Sequence, residues 1–156
     1  MVFFHHINFA TDEPHNTYIQ LFRLLSYTFV LTLIHALLLF LAPKKIPFHE
    51  KIYASSIYLW LPLLPIMVYC AASSVYLLSG DIDNRWFGHD RLSFVFLRLY
   101  VSLNILGTLS ELLSWWSSGG TKKDLLKRTP SLLHHAVSIS AYTAVLLQPR
   151  LHYFAW

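Results

Sequence analysis

Charge and cysteine are both scarce in this sequence. Only 13% of its 156 residues are Asp, Glu, Lys or Arg, about half the share of a soluble domain. The single cysteine, Cys70, excludes an intramolecular disulfide and a thiolate metal cluster. Lying inside an apolar run, it reads as a small buried hydrophobe. Five Gly and seven Pro are too few for a collagen-like or low-complexity polymer. There is no Walker-type glycine loop, no G-x-S-x-G elbow, no dinucleotide fingerprint and no H-E-x-x-H pair. The Met1–Tyr18 stretch lacks the basic start and apolar core of a secretory signal. Asp12 and Glu13 also set it apart from an acid-poor transit peptide, so it is expected to be retained.

What is abundant is apolar surface. The chain is 55% hydrophobic and 16% aromatic, with a mean hydropathy of +0.46. Four charge-poor runs take up about 90 residues. That distribution fits a bilayer, and the expected fold is an all-α membrane protein with four transmembrane helices. The spans are 24–42, 52–79, 92–116 and 131–148. The first covers about 28 Å at the helical rise, close to the thickness of a hydrocarbon core. The second is longer than a straight crossing needs, and Pro62 and Pro65 predict a kink or break in it. The four-helix domain is bounded as 24–150. Residues 1–23 form an N-terminal interfacial tail, with Phe3, Phe4, Ile7 and Phe9 facing the interface, and 151–156 form an aromatic C-terminal tail.

The net charge of +4 invites a nucleic-acid reading, but the basic residues sit in the loops between apolar runs. Lipid headgroups are the better counter-ions. Seven Lys/Arg lie in the first and third loops (Lys44, Lys45, Lys51, Lys122, Lys123, Lys127, Arg128), against four on the other side (Arg23, Arg85, Arg91, Arg150). Loops 43–51 and 117–130 are therefore expected on the cytoplasmic or matrix side. The candidate lipid-binding set is Lys44, Lys45, Lys122, Lys123, Lys127 and Arg128, with His134 and His135 beside it. The basic piece Lys122–Arg128 reads either as an interfacial segment or as an ordinary positive-inside loop.

Ionisable groups inside a span are expensive and seek protein or water. Arg98 lies near the start of its run and is expected to snorkel to the surface. Glu111 is about 20 Å away along the same helix and about 220° around it, so it needs a partner on another helix, a proton or water. Asn104, Thr108 and Glu111 share one face, as do Thr28, Thr32 and His35. In the fourth run His134 pairs with Ser138 on one face, and His135, Ser138 and Tyr142 line the next. Glu111, His134, His135, His35, Ser55 and Ser56 all fall roughly 5–10 Å inside the basic-side boundary, which makes that level the candidate site. A histidine near a carboxylate serves either as base or acyl acceptor or as a polar pin that fixes helix register. Adjacent histidines point about 100° apart on a helix, so no metal site is expected there, nor at His5-His6.

Trp86-Phe87-Gly88-His89, the polar third span ending Ser114-Trp115-Trp116, the basic loop and then Ser131-Leu132-Leu133-His134-His135-Ala136-Val137-Ser138 resemble the first half of a TLC domain. The likeness is to the small TLC-domain transmembrane proteins, over residues 48–147. It implies a partial TLC-like helical bundle that handles lipid, with His134 and His135 at the family's double-histidine position. Among ceramide synthases that pair belongs to an acyl-transfer site. Here no acidic pair follows it, the second span lacks the family's histidine, and Glu111 stands a little beyond the expected third-span aspartate. The family domain also continues through further helices, so a bundle of four would need walls from a second copy or from other membrane subunits. Two functions follow from the resemblance. One is a structural, phospholipid-binding integral subunit of a larger complex, without a dedicated cofactor, in the mitochondrial inner membrane or endoplasmic reticulum. The other is a lipid-modifying enzyme using His134, His135 and Glu111, or a regulator of phospholipid composition.

Overall fold

A computed structural model of the chain describes residues 16–78 and 91–148. Within them the protein is all-helical: α1 is Thr17–Leu41, α2 Phe48–Leu78, α3 Arg91–Ser117 and α4 Lys122–Leu147. The interfacial tail through residue 15, the aromatic tail 151–156 and the Trp86–His89 stretch lie outside the described residues.

Every helix is longer than its apolar run, because caps and not hydropathy set the ends. Asn16 starts α1 by accepting the Tyr18 N–H at 2.9 Å, so residues 17–23 are helical and belong to the first span. Pro43 follows the C-cap Ala42. Pro47 precedes α2 and accepts the Glu50 and Lys51 N–H groups. Pro62 and Pro65 both sit inside α2; of the kink or break they predict, the break is absent and the helix runs through both.

The largest departure concerns the fourth span. Thr17–Leu41, Phe48–Ser73 and Phe94–Ser117 are long and apolar enough to cross a membrane; α4 is not. It begins at Lys122, nine residues before the apolar run at 131, and takes in both the basic piece and Pro130. Four cations and Asp124 in its first two turns, then His134, His135 and three serines, dilute its apolar character. Residues 117–130 are thus not one long loop, since 122–130 form the start of α4. The whole connection is Ser118–Thr121. Gly119 and Gly120 adopt φ values of 101° and 61°, the left-handed region open to glycine. Their N–H groups bond back to the Trp116 and Trp115 carbonyls, which closes α3 as a Schellman motif. Thr121 then caps α4 by accepting the Asp124 N–H at 3.2 Å. The Trp115 indole donates to the Thr121 carbonyl at 2.9 Å. This short turn holds α3 and α4 as an antiparallel hairpin.

α3 is the central helix and packs against the other three. Of its apolar window 56% is buried, against 17% for α1 and 22% for α2, so α1 and α2 keep broad apolar faces for lipid. One core cluster joins Leu24 of α1, Phe94, Leu97 and Val101 of α3, and Val145 and Leu146 of α4. A second joins Leu31, Leu59 and Met67 to Leu99, Leu103 and Leu106. Tyr100 links the helices around α3, with its ring 4.8 Å from Tyr142 and 6.2 Å from Trp60, both edge-on.

Thr121→Ala removes the cap on which the α4 start depends, and should lower stability by about 1 kcal/mol, read as an earlier unfolding midpoint in detergent. The Thr121 hydroxyl, which bonds the Asp124 carboxyl, also holds that carboxyl below its ordinary pKa. The contribution of that bond is therefore complete above the unfolded-state carboxylate pKa and fades as pH falls through the lower folded value.

Candidate functional site

The third span carries its polar residues on one stripe, and α4 lies along that stripe. Asn104, Gly107 and Glu111 are spaced i, i+3, i+7 and so face the same way. Across from them stand Ser131 and His135, one turn apart on α4.

His135 is the centre of this seam. Its Nδ1 lies 2.8 Å from Asn104 Oδ1. The Asn104 amide nitrogen donates to the Tyr100 carbonyl at 2.8 Å, which fixes Oδ1 as the atom facing the ring. His135 Nδ1 is therefore the protonated nitrogen and donates. That leaves a lone pair on Nε2, which points toward the Glu111 carboxylate at 3.8 Å and the Ser131 hydroxyl at 3.5 Å. The Ser131 hydroxyl donates to Glu111 Oε1. A proton taken up at Nε2 would sit against the carboxylate, giving an ion pair whose side chains are 14% and 13% exposed. Glu111 thus finds the partner on another helix that its position demands.

Gly107 makes this approach possible. A Cβ there would stand 2.9 Å from His135 Cε1 and 3.0 Å from Nε2, inside ordinary contact. Only hydrogen at this position lets the imidazole lie flat against the α3 backbone. Sequence reasoning passed over Gly107; the signal was a glycine midway between Asn104 and Glu111 on their shared face.

The remaining candidates divide. His134 is exposed on the outer side of α4, its ring 5.8 Å from that of His135, so the two imidazoles face different surroundings. His35 is buried and pairs with Ser55 at 2.7 Å, a second polar contact that joins α1 to α2. Ser56 turns back to the Tyr53 carbonyl. The common polar level of the sequence reading is thus two separate pairings among the described residues. Thr28 makes a third, its hydroxyl 3.0 Å from Ser102 Oγ, while Thr32 bonds its own helix. Arg98 does not snorkel. It is 3% exposed, donates to Gln20 Oε1 at 2.6 Å and stacks its guanidinium over Phe94.

Of the basic residues, Lys44, Lys45, Lys122 and Lys123 are exposed. Lys127 is 3.5 Å from Asp124. Arg128 is half-buried and reaches back to α3, donating to the Glu111 carbonyl and to Ser114 Oγ, each at 3.4 Å. The described residues contain no group of three or more His, Cys, Asp or Glu placed to hold a metal ion. No family model, curated protein or solved structure matches this chain.

Gly107→Ala tests the seam. Helix propensity alone would favour alanine by up to about 1 kcal/mol, yet the clash should leave the protein less stable by about 1–3 kcal/mol. In a His135→Ala background the same change should become neutral or stabilising. Equal effects in both backgrounds would remove the steric account.

Proposed function

We propose that this protein is a lipid-binding integral membrane subunit that works within a larger membrane assembly, built on a reduced TLC-like helical bundle. The observation that carries the reading is α4. Its inner side is fully used, with His135 and Ser131 on the α3 seam and Ser138 within 3.5 Å of Tyr100 Oη. Its outer side presents Leu133, His134, Ala136, Val137, Ser140 and Ala141, all exposed. An imidazole and a hydroxyl turned toward hydrocarbon leave polar groups without partners, each at a cost of a few kcal/mol. Small residues at 136, 140 and 141 let another helix approach closely. Lipid covers α1 and α2 well; protein covers this side of α4 better. The excess of cations around the α1–α2 and α3–α4 turns supports the cytoplasmic or matrix side for that end, in the endoplasmic reticulum or mitochondrial inner membrane.

A second reading has one observation in its favour. Ser131, His135 and Glu111 stand in contact, as a hydroxyl, an imidazole and a carboxylate must for acid–base or acyl-transfer chemistry. In this reading the His135 Nε2 lone pair is the proton acceptor and Ser131 the acyl acceptor. The subunit reading ranks above it because the Ser131 hydroxyl gives its proton to Glu111 and not to His135 Nε2, and Gly107 covers the ring.

The two readings separate in one experiment. The membrane is solubilised in mild detergent, the native particle is sized, and its co-migrating chains are identified. The expected result is a particle much larger than 18.1 kDa with a reproducible set of other chains, which His134→Leu shrinks without loss of helix content. A lone monomer in which Ser131→Ala changes the cellular acyl-lipid profile at unchanged abundance would replace the subunit reading with the enzymatic one.

A further inference from the structure

At the basic end, α2, α3 and the start of α4 enclose an open cleft of about 520 Å³, lined by Tyr53, Ser114, Ser118, Asp124, Lys127 and Arg128. Its two cations, Lys127 and Arg128, outnumber its one acid, Asp124. The Arg128 guanidinium offers five N–H donors in a planar fork. The structure engages two of its nitrogens, both at 3.4 Å, the long end of the hydrogen-bond range. Lys127 adds a point charge, 69% exposed. Tyr53 contributes a hydroxyl from α2, while the Ser118 hydroxyl on the α3–α4 turn already donates to the Trp115 carbonyl at 2.9 Å. The one acid, Asp124, is already held by the Thr121 hydroxyl and by Lys127. Ser114 is itself buried and donates to the His49 carbonyl at 3.2 Å, which fixes the floor of the cleft.

The depth of the cleft selects its occupant. Trp116 is 73% exposed at the end of α3, as aromatic side chains are at the headgroup level of a bilayer. Exposed Ile57 follows one turn after Tyr53 on α2, and exposed Leu112 and Leu113 directly precede Ser114 on α3. A molecule seated here has cations and hydroxyls at its head and apolar helix surface toward its tail. We propose that the cleft binds the phosphate of an anionic phospholipid, with the Arg128 fork as its principal ligand and Lys127 as the second cation. The site rests on the lipid-binding part of the proposed function and is independent of the assembly part. It narrows the expected lipid-binding set to Lys127 and Arg128, adding Tyr53, Ser114 and Ser118 and leaving out Lys44, Lys45, Lys122, Lys123, His134 and His135.

The test uses the full chain purified in detergent, with bound lipid counted by native mass spectrometry during titration with phosphatidic acid, phosphatidylcholine or inorganic phosphate. Phosphatidic acid should bind in preference to phosphatidylcholine. Arg128→Gln should weaken it about tenfold, the worth of one charge-assisted hydrogen bond, and Arg128→Lys should recover only part of the loss, having no fork. Lys127→Gln, at an exposed position, should weaken binding without disturbing the fold. The double change Lys44→Gln/Lys45→Gln should leave binding intact. Equal losses in the Lys44/Lys45 and Arg128 variants would overturn the cleft and leave diffuse lipid attraction standing. Displacement of the lipid by inorganic phosphate at matched concentration would overturn the lipid source. No preference between the two lipids would overturn both the site and the lipid-binding reading.

Discussion

A carboxylate inside an apolar helix, six residues from its end, dictates much of this architecture. Glu111 sits on α3, the helix that the other three enclose, and its charge must be met by protein. Among the described residues α4 does so, bringing Ser131 and His135 to it. That demand accounts for the character of α4. A helix that supplies an imidazole and hydroxyls to its neighbour has fewer positions left for apolar residues, and it falls short of a membrane-spanning composition. The tight turn at Gly119 and Gly120 serves the same end, because a longer connection would let the hairpin slide and lose register between His135 and Asn104.

The other interhelical contacts follow a similar logic on a smaller scale. α1 meets α2 through His35 and Ser55, and α3 through Thr28 and Ser102 and through Gln20 and Arg98. In a bilayer, apolar burial between helices gains little over lipid contact, so close packing and polar pairs specify which faces meet. Each such pair is worth little alone, about 0.6 kcal/mol on average where measured in a membrane protein. Their value is in direction. Apolar neighbours tolerate rotation of a helix by a residue, whereas the half-buried Asn104–His135 bond does not.

Hydropathy made the apolar middles of α1, α2 and α3 legible, and amphipathic spacing made the Asn104–Glu111 face legible too. The helix ends were not, because they depend on single capping side chains, and an apolar window is blind to Asn16 and Thr121. The start of α4 was hidden for the same reason: Lys122–Arg128 looks like a loop by charge, although Thr121-Lys122-Lys123-Asp124 carries the spacing of a capped helix start. Arg98 was misplaced by a rule of depth alone. Nearness to a helix end permits snorkelling, but Gln20 on α1 offers a bond at the same level and Phe94 covers the guanidinium. The pairing of His135 and not His134 with α3 could not be read from adjacency, since it depends on which way α4 is rotated. Gly107 sets that rotation.

The seam and the cleft are built on one turn of α3. Glu111 presents its side chain to Ser131 and His135, and its carbonyl to Arg128; Ser114, three residues on, bonds both Arg128 and the His49 carbonyl. A phosphate that draws the Arg128 donors away would therefore strand neither acceptor. The Glu111 carbonyl keeps its place in the helical ladder, and the Ser114 hydroxyl keeps His49. Arg128 gives up two long bonds for shorter, charge-assisted ones. The seam, which relies on the Glu111 carboxylate and not on its carbonyl, is left as it was. Anion capture at the end of the bundle and the polar pin in its interior thus share a turn of helix without competing for the same atoms.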